Sequence, residues 1–272
     1  MKIKTLLYTT AAGLLTLASC DTVSENDRYI YVEEAEVQRC VLLEDFTGQR
    51  CLNCPNAAVE INKLQESYPN SIIAVAIHSG RLSTTTLKSH VGEEYYDAAG
   101  KPAQPAGRIN RCGEPSVPGQ WQNLVHNAVQ QKTTVTIEIA NTYNAATNKT
   151  DINVNLHGLL EINGKLQIWL VEDDIKARQL MPNNQWNDEY IHNHVLRAAV
   201  NGTWGENITL EKGTSKAFAY TADLDPKAWI ADTEQTWNPA NMYVVAFVYD
   251  GDGVQNVAKA PIIANAGNNE NE

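Results

Sequence analysis

The sequence predicts an α/β domain followed by an antiparallel β-sandwich, and three observations carry that reading. Between Arg39 and about Gln131, apolar runs alternate with helix-period segments, as in an α/β layer structure. Beyond Lys132 the pattern changes to short period-two stretches separated by turn residues, the signature of a sandwich. Across the first handover from strand to helix lies Cys51-Leu52-Asn53-Cys54-Pro55, a Cys-x-x-Cys pair at the mouth of a helix.

The elements follow in order. Residues 40–46 read as a strand and 55–68 as a helix, with Ala58, Ile61, Leu64 and Gln65 on related faces. The run 71–78 is almost wholly apolar, as for the buried centre of a parallel sheet. A weaker helix spans 87–98. Pro102 and Pro105 then break the chain, 106–112 reads as a strand, and 120–131 as a closing helix. In the second half, 133–139, 151–156, 165–170 and 241–247 alternate as strands, with turns at Asn163-Gly164, Asn201-Gly202 and Asp250-Gly251-Asp252-Gly253. Residues 185–205 read as a long loop or a short helix.

The N-terminus carries targeting information. Lys2 and Lys4 precede an apolar stretch from Leu6 to Leu17, too short to span a bilayer, and Leu17-Ala18-Ser19-Cys20 closes it with small residues. Residues 1–19 therefore read as a secretory signal. The Leu-Ala-Ser-Cys ending resembles a bacterial lipobox, which makes Cys20 the lipidated first residue of the mature chain, palmitate among its acyl groups. Several acyl chains on one residue anchor a protein stably. Residues 20–38 are acidic and read as a tether, 39–131 as the α/β domain, 132–264 as the sandwich, and 265–272 as a disordered tail.

Composition excludes one partner class. The formal net charge is −11, and removal of Lys2 and Lys4 leaves 19 basic against 32 acidic residues. Such a chain repels phosphate backbones, so nucleic acid is not expected as a partner. Four cysteines remain beside Cys20, an even number that suggests disulfides outside the cytoplasm.

The Cys pair is the main chemical signal. A helix N-terminus offers unpaired N–H groups and the positive end of a dipole, and both stabilise a thiolate. Arg50 adds a cation beside Cys51, which is expected to be exposed and reactive. Cys54, deeper in the first turn, is expected to resolve a mixed disulfide. Asp45, half-buried on the preceding strand, suits a proton shuttle if desolvation raises its pKa. Three readings of the pair stand: a redox couple, a static structural disulfide, and half a zinc site without a second half nearby.

The order of elements is similar to the thioredoxin fold. The resemblance places Asp45 six positions before the first active cysteine, gives Cys51 the attacking role and Cys54 the resolving role, and calls for a cis proline facing the pair. Pro105 is the candidate, with Pro102 second. Arg50 stands where an aromatic residue is usual, and Leu52-Asn53 matches no well-known redox dipeptide. In a thioredoxin-like sheet the strands carrying Cys40 and Cys112 are adjacent and antiparallel, which makes Cys40–Cys112 a second disulfide candidate.

Weaker signals are read against plainer ones. His192-Asn193-His194 places two imidazoles on one face if it is a strand, either as metal ligands or as a solvated or hydrogen-bonded pair. Asp250-Gly251-Asp252-Gly253 is similar to part of a calcium loop but reads better as a hairpin turn. The six tryptophans read as core, at least for Trp169, with a carbohydrate-stacking platform as the alternative.

Taken together, the lipobox, the acidic tether, Glu44-Asp45-Phe46-Thr47-Gly48 ahead of the Cys pair, the Pro105–Arg111 strand and His192–Arg197 resemble the Omp-twenty-eight-related outer-membrane lipoproteins of Bacteroidetes. The resemblance implies a thioredoxin-like domain joined to an immunoglobulin-like one. It implies outer-membrane anchorage, with the protein facing the periplasm or the cell surface. Two functions are compatible with it: disulfide exchange with extracytoplasmic proteins through Cys51 and Cys54, or a non-enzymatic role as an adhesin or accessory subunit of an outer-membrane import complex. No cofactor is expected.

Overall fold

In the computed structural model, the apolar runs near the start of the chain form the buried strands that the whole architecture is built on. The structure describes Val37 and residues 39–263. The expected signal, Cys20, the tether apart from Val37, and the tail beyond 264 lie outside the described residues.

The first half runs β1 (Val41–Thr47), α1 (Cys54–Ser67), β2 (Ile72–His78), α2 (His90–Ala98), β3 (Ala106–Ile109) and α3 (Pro118–Val129). The second half is strand apart from two single 3-10 turns, Pro226–Ala228 and Pro239–Asn241: β4 (Val135–Asn144), β5 (Lys149–Gly158), β6 (Ile162–Glu172), β7 (Ile175–Lys176), β8 (Gln179–Leu180), β9 (Trp186–Asn187), β10 (Ile191–His192), β11 (Val195–Ala199), β12 (Glu206–Leu210), β13 (Ser215–Asp223), β14 (Met242–Asp250) and β15 (Gly253–Pro261).

One eight-stranded sheet, ordered β15-β14-β6-β11-β2-β1-β3 with β12 also on β6, runs through both halves. β1 and β2 are parallel, and β3 is antiparallel to β1. The joint is β11, whose Val195 pairs in parallel with Ala76 of β2 while the rest of the strand pairs antiparallel with β6. The described residues pack as a single unit, so the composition change near residue 131 falls inside a shared sheet. β11 comes from the stretch expected to be loop or helix. Its Val195, Leu196, Arg197 and Ala198 are buried on both faces, so they lack the alternation that marks a half-exposed strand.

Both faces of this sheet are covered. On one, Val41, Leu43, Ile72 and Ala74 pack against Ala57, Ile61 and Leu64 of α1 and Trp121 and Val125 of α3. Further along, a three-stranded sheet, β13-β5-β4, covers β6 and β14, with Ile152, Val154 and Leu156 meeting Leu166, Ile168, Leu170, Val244 and Ala246. On the other face, α2 supplies Val91 and Tyr95 to a core that continues from Phe46, Val75 and Ile77 to Trp169, Val171, Val245 and Phe247. β6 and β14 are covered twice and read as almost continuous apolar runs. β5 is covered once and alternates buried with exposed.

The Cys40–Cys112 bridge is corrected. Both are free thiols, Cys40 half-buried and Cys112 exposed. The β1–β3 register, Leu43 opposite Ile109, points to that pairing if extended. However, Asn110 and Arg111 turn the chain away with φ of 51° and 56°. Asn110 instead bonds Leu42 twice, through its backbone N–H and its side-chain oxygen, both at 2.8 Å. Cys40 finds other partners: its N–H donates to Asn256 Oδ1 at 3.0 Å and its thiol to Asn70 O at 3.3 Å.

Asp250–Gly253 is the tight turn between β14 and β15, with Asp252 N–H on Asp250 Oδ1 at 2.9 Å. Gly253 has φ +104°, and a Cβ there would sit 2.4 Å from Asn110 O, so a side chain is excluded by both conformation and space. Trp121 and Trp169 are fully buried and Trp237 nearly so, whereas Trp186 and Trp204 are exposed.

Candidate functional site around the Cys51–Cys54 disulfide

The Cys loop leaves β1 through Gly48, where a Cβ would lie 2.6 Å from the Leu82 carbonyl. That close approach lets Arg50 N–H donate to Leu82 O at 2.7 Å and locks the loop against residues 80–82. Cys51 and Cys54 form a disulfide with Cα atoms 5.4 Å apart. α1 begins at Cys54, with Pro55 in its first turn, where the missing N–H costs nothing. Cys51 therefore precedes the helix. It lies in the turn held by its own N–H on Gly48 O at 3.0 Å.

The expectation of an exposed Cys51 is corrected: only 3% of its surface is accessible, and 4% of that of Cys54. The cover comes from far along the chain. Gln179 in β8 donates from Nε2 to Cys51 O at 3.0 Å and reaches Gly48 O at 3.4 Å. The next residue, Leu180, donates its N–H to Gln49 O at 2.8 Å. β8 and β9 form a small hairpin, stiffened by Arg178 stacked 4.1 Å from the Trp186 ring. Gln179 carries no motif, and sequence separation hid this contact. Arg50, the expected cation beside Cys51, is exposed.

The Gln104–Pro105 peptide is cis. Gln104 fixes that loop by donating to Thr47 O at 2.9 Å and Ser79 O at 3.1 Å, at the ends of β1 and β2. Pro105 shares a surface groove with Asn53 and Val59 of the Cys-loop side.

Asp45 is buried on the same sheet face as α1, with its Oδ1 unpartnered. Burial pushes its pKa up to about 7. It lines a partly open cavity of about 210 Å³, together with Cys54, His78, Tyr190 and His192. The His78 and His192 rings meet edge to face, 5.2 Å apart, and Tyr190 contacts His192 in the same way at 4.8 Å. Burial lowers both imidazoles, His192 to about 4 and His78 well below its ordinary value, with the neighbouring His192 and Arg197 adding to the latter. Both rings are neutral at pH 7.

The two histidines of His192-Asn193-His194 part company. β10 ends at His192, and His194 adopts φ +61°, which turns its ring to Tyr243 OH at 3.0 Å and Asp173 Oδ1 at 3.1 Å. They do not share a ligand position, and among the described residues no three His, Cys, Asp or Glu side chains converge as a metal site. No helix among the described residues is long and apolar enough to cross a membrane.

Comparison with known proteins places this geometry. No curated protein matches the sequence. Among solved structures, HBP35 of Porphyromonas gingivalis superposes with a TM-score of 0.67 at 16% identity, over 83% of this chain and 76% of that one. A structural-genomics protein from Agrobacterium tumefaciens superposes with a TM-score of 0.50 at 12% identity, over 85% of this chain and 98% of the other. At these identities the likeness is one of fold. The family model for outer membrane protein Omp28 matches residues 92–266, a span that begins inside α2, after the Cys pair, and takes in β3, α3 and every strand of the second half. The chain belongs to the Omp28 outer membrane protein family.

Proposed function

We propose that this outer membrane protein is a lipoprotein, anchored through acylated Cys20, that serves as a non-enzymatic binding subunit with Cys51–Cys54 as a structural disulfide. One observation carries the reading. The disulfide is roofed by the β8–β9 hairpin, with Gln179 on the Cys51 carbonyl and Leu180 on Gln49. A protein substrate needs to reach a sulfur in line, and the loop so held keeps both cysteines almost fully buried, 3% and 4% exposed. The start of the family match at residue 92 agrees with a shared role that lies outside the Cys pair. In this reading the first half is a thioredoxin-like scaffold, since a parallel β–α–β unit and a cis proline accompany the pair, and the second half is an immunoglobulin-like sandwich. The partner is an extracytoplasmic protein or an outer-membrane import complex, with the protein facing the periplasm or the cell surface.

A second reading is favoured by Asp45. A buried carboxyl whose pKa lies near 7 is suited to take the proton of a resolving thiol. In that reading an external dithiol first reduces Cys51–Cys54 and is itself oxidised to a disulfide; the Cys51 thiolate then attacks a target disulfide and releases one target thiolate. The Cys54 thiolate then attacks the Cys51 sulfur, releases the second, and regenerates the Cys51–Cys54 bond.

Two measurements test these readings. Cys20→Ser should leave the protein unprocessed or released from the membrane fraction, and normal acyl labelling of that variant overturns the anchor. In the purified folded protein, dithiothreitol should reduce the disulfide only slowly, and the protein should not accelerate insulin reduction by dithiothreitol. Ready reduction with turnover replaces the structural reading with disulfide exchange.

A further inference from the structure

Among the described residues the sheet edges are short or covered, with one exception. β3 has four residues, and its Gly107 exchanges two backbone bonds with Ser116, both at 2.8 Å. β12 has five residues. On β15, Arg39 donates to Val254 O, and Thr133 Oγ1 donates to Gln255 O at 3.4 Å. Asn141 of β4 donates to Ala260 O at 3.1 Å and ties those two edges together. Proteins blunt their edges in such ways because an open edge is a template for pairing with another chain.

The exception is β13, nine residues without a proline or a bulge. It pairs with β5 on one side, and no strand pairs with the other. The two ends of the ladder fix which groups face outward. Gly158 N–H donates to Thr214 O and Leu224 N–H to Asn148 O, both at 2.9 Å, so the even-numbered residues bond to β5. Ser215, Ala217, Ala219 and Thr221 therefore turn their N–H and C=O groups away from the sheet, and all four are exposed. Asp223 ends the run, because its carbonyl accepts from Trp229 Nε1 at 2.7 Å. The free edge is 215–221, centred on Phe218.

We propose that this edge pairs antiparallel with the same edge of a second copy of the chain, about a twofold axis at Phe218. Ser215 then faces Thr221 of the second copy and Ala217 faces Ala219. That gives about eight interchain N–H···O bonds, two for each facing pair. The four outward side chains are small and uncharged, so nothing on them opposes the approach. Phe218 faces Phe218 of the second copy at a position without hydrogen bonds, where side chains lie closest. Lys216 faces Tyr220 of the second copy. The Tyr220 hydroxyl donates to Glu206, so each Lys216 ammonium is brought toward a carboxylate of the other copy. No charge faces a like charge, and this self-complementarity is what selects a second copy as the occupant. The pairing is independent of Cys51–Cys54 and goes beyond the functional reading above.

The test uses the full chain purified in detergent and followed by sedimentation velocity, with a dimer expected at micromolar concentration. Ala219→Pro removes an outward N–H and no bond to β5, so the fold is kept. Self-association should weaken by about thirtyfold or more, since two interchain donors are lost. Cross-linking located by peptide mapping reads the register without that variant. Phe218→Cys should form a disulfide with its own counterpart under mild oxidation, because facing Cα atoms there lie ~4.5 Å apart. Ala217→Cys should not, because its counterpart lies diagonally across, about 7–8 Å away. A monomer, or a dimer unaffected by Ala219→Pro, overturns the proposal. So does cross-linking at position 217 in place of 218.

Discussion

Arg111 Nε donates to Glu44 Oε1 at 2.9 Å, across the turn that ends β3. Arg108 takes the other oxygen of the same fully buried carboxylate at 3.1 Å. The Arg111 guanidinium also lies 4.8–5.1 Å from the ring centres of Tyr95, Trp169, Phe247 and Tyr249. One cation thus ties β1 to α2, β6 and β14, and so links the two halves of the chain. Burial alone would raise the Glu44 pKa, but the two arginines outweigh it and hold the carboxyl below its ordinary value.

Glu44→Gln is therefore expected to destabilise the protein by about 3–5 kcal/mol, because it leaves buried cations without their counter-charge. Urea unfolding at pH 7 measures it. The sign of the pH dependence follows from the lowered pKa. The stabilisation is present above the unfolded value near 4.5 and is lost as pH falls through the folded one. The gap between wild type and Glu44→Gln should shrink in acid.

Asp45 has the opposite sign. Its carboxyl is raised from 3.8 to about 7 by burial. The unfolded chain releases this proton first, so stability is lost as pH rises from about 4 to about 7. Asp45→Asn removes that loss. At pH 8 the variant should be more stable than wild type by on the order of 4 kcal/mol, at about 1.4 kcal/mol per pKa unit, with the difference gone near pH 4. Chemical denaturation across that range checks it, and a pH-independent difference contradicts it.

Gln179→Ala removes the side-chain donor over Cys51 while keeping the Leu180–Gln49 backbone bond. The cost in stability should be about 1 kcal/mol. The rate of disulfide reduction by dithiothreitol should rise about fivefold as the roof opens more often. Mass-tagging of released thiols follows it. An unchanged rate means that the roof does not limit access.

The free thiols give a direct check on connectivity. Cys112 is exposed, whereas Cys40 is half-buried with its pKa raised by burial. Iodoacetamide at pH 8 should modify Cys112 first and Cys40 slowly, with Cys51 and Cys54 unmodified. Recovery of a Cys40–Cys112 peptide under non-reducing conditions contradicts the fold around Asn110.

What the sequence by itself determined is the set of local, repeated signals. The buried runs of β1 and β2, the helix opening at Cys54-Pro55 and the alternation in β4 and β5 are short-range properties of side-chain period and turn chemistry. The Cys pair was legible for the same reason. Only the tertiary structure decided what lies over it. β11 has no alternation because it is buried on both faces, so the strand that fuses the halves had no sequence signature. Gln179 meets Cys51 across 128 residues, and His78 meets His192 across the joint that β11 makes. Cys112 was lost from its expected partner by two left-handed residues, Asn110 and Arg111. Local pattern reports which face of an element is apolar. It carries no record of which distant side chain closes over that face, and here that closure sets the accessibility of Cys51 and the pKa of Asp45.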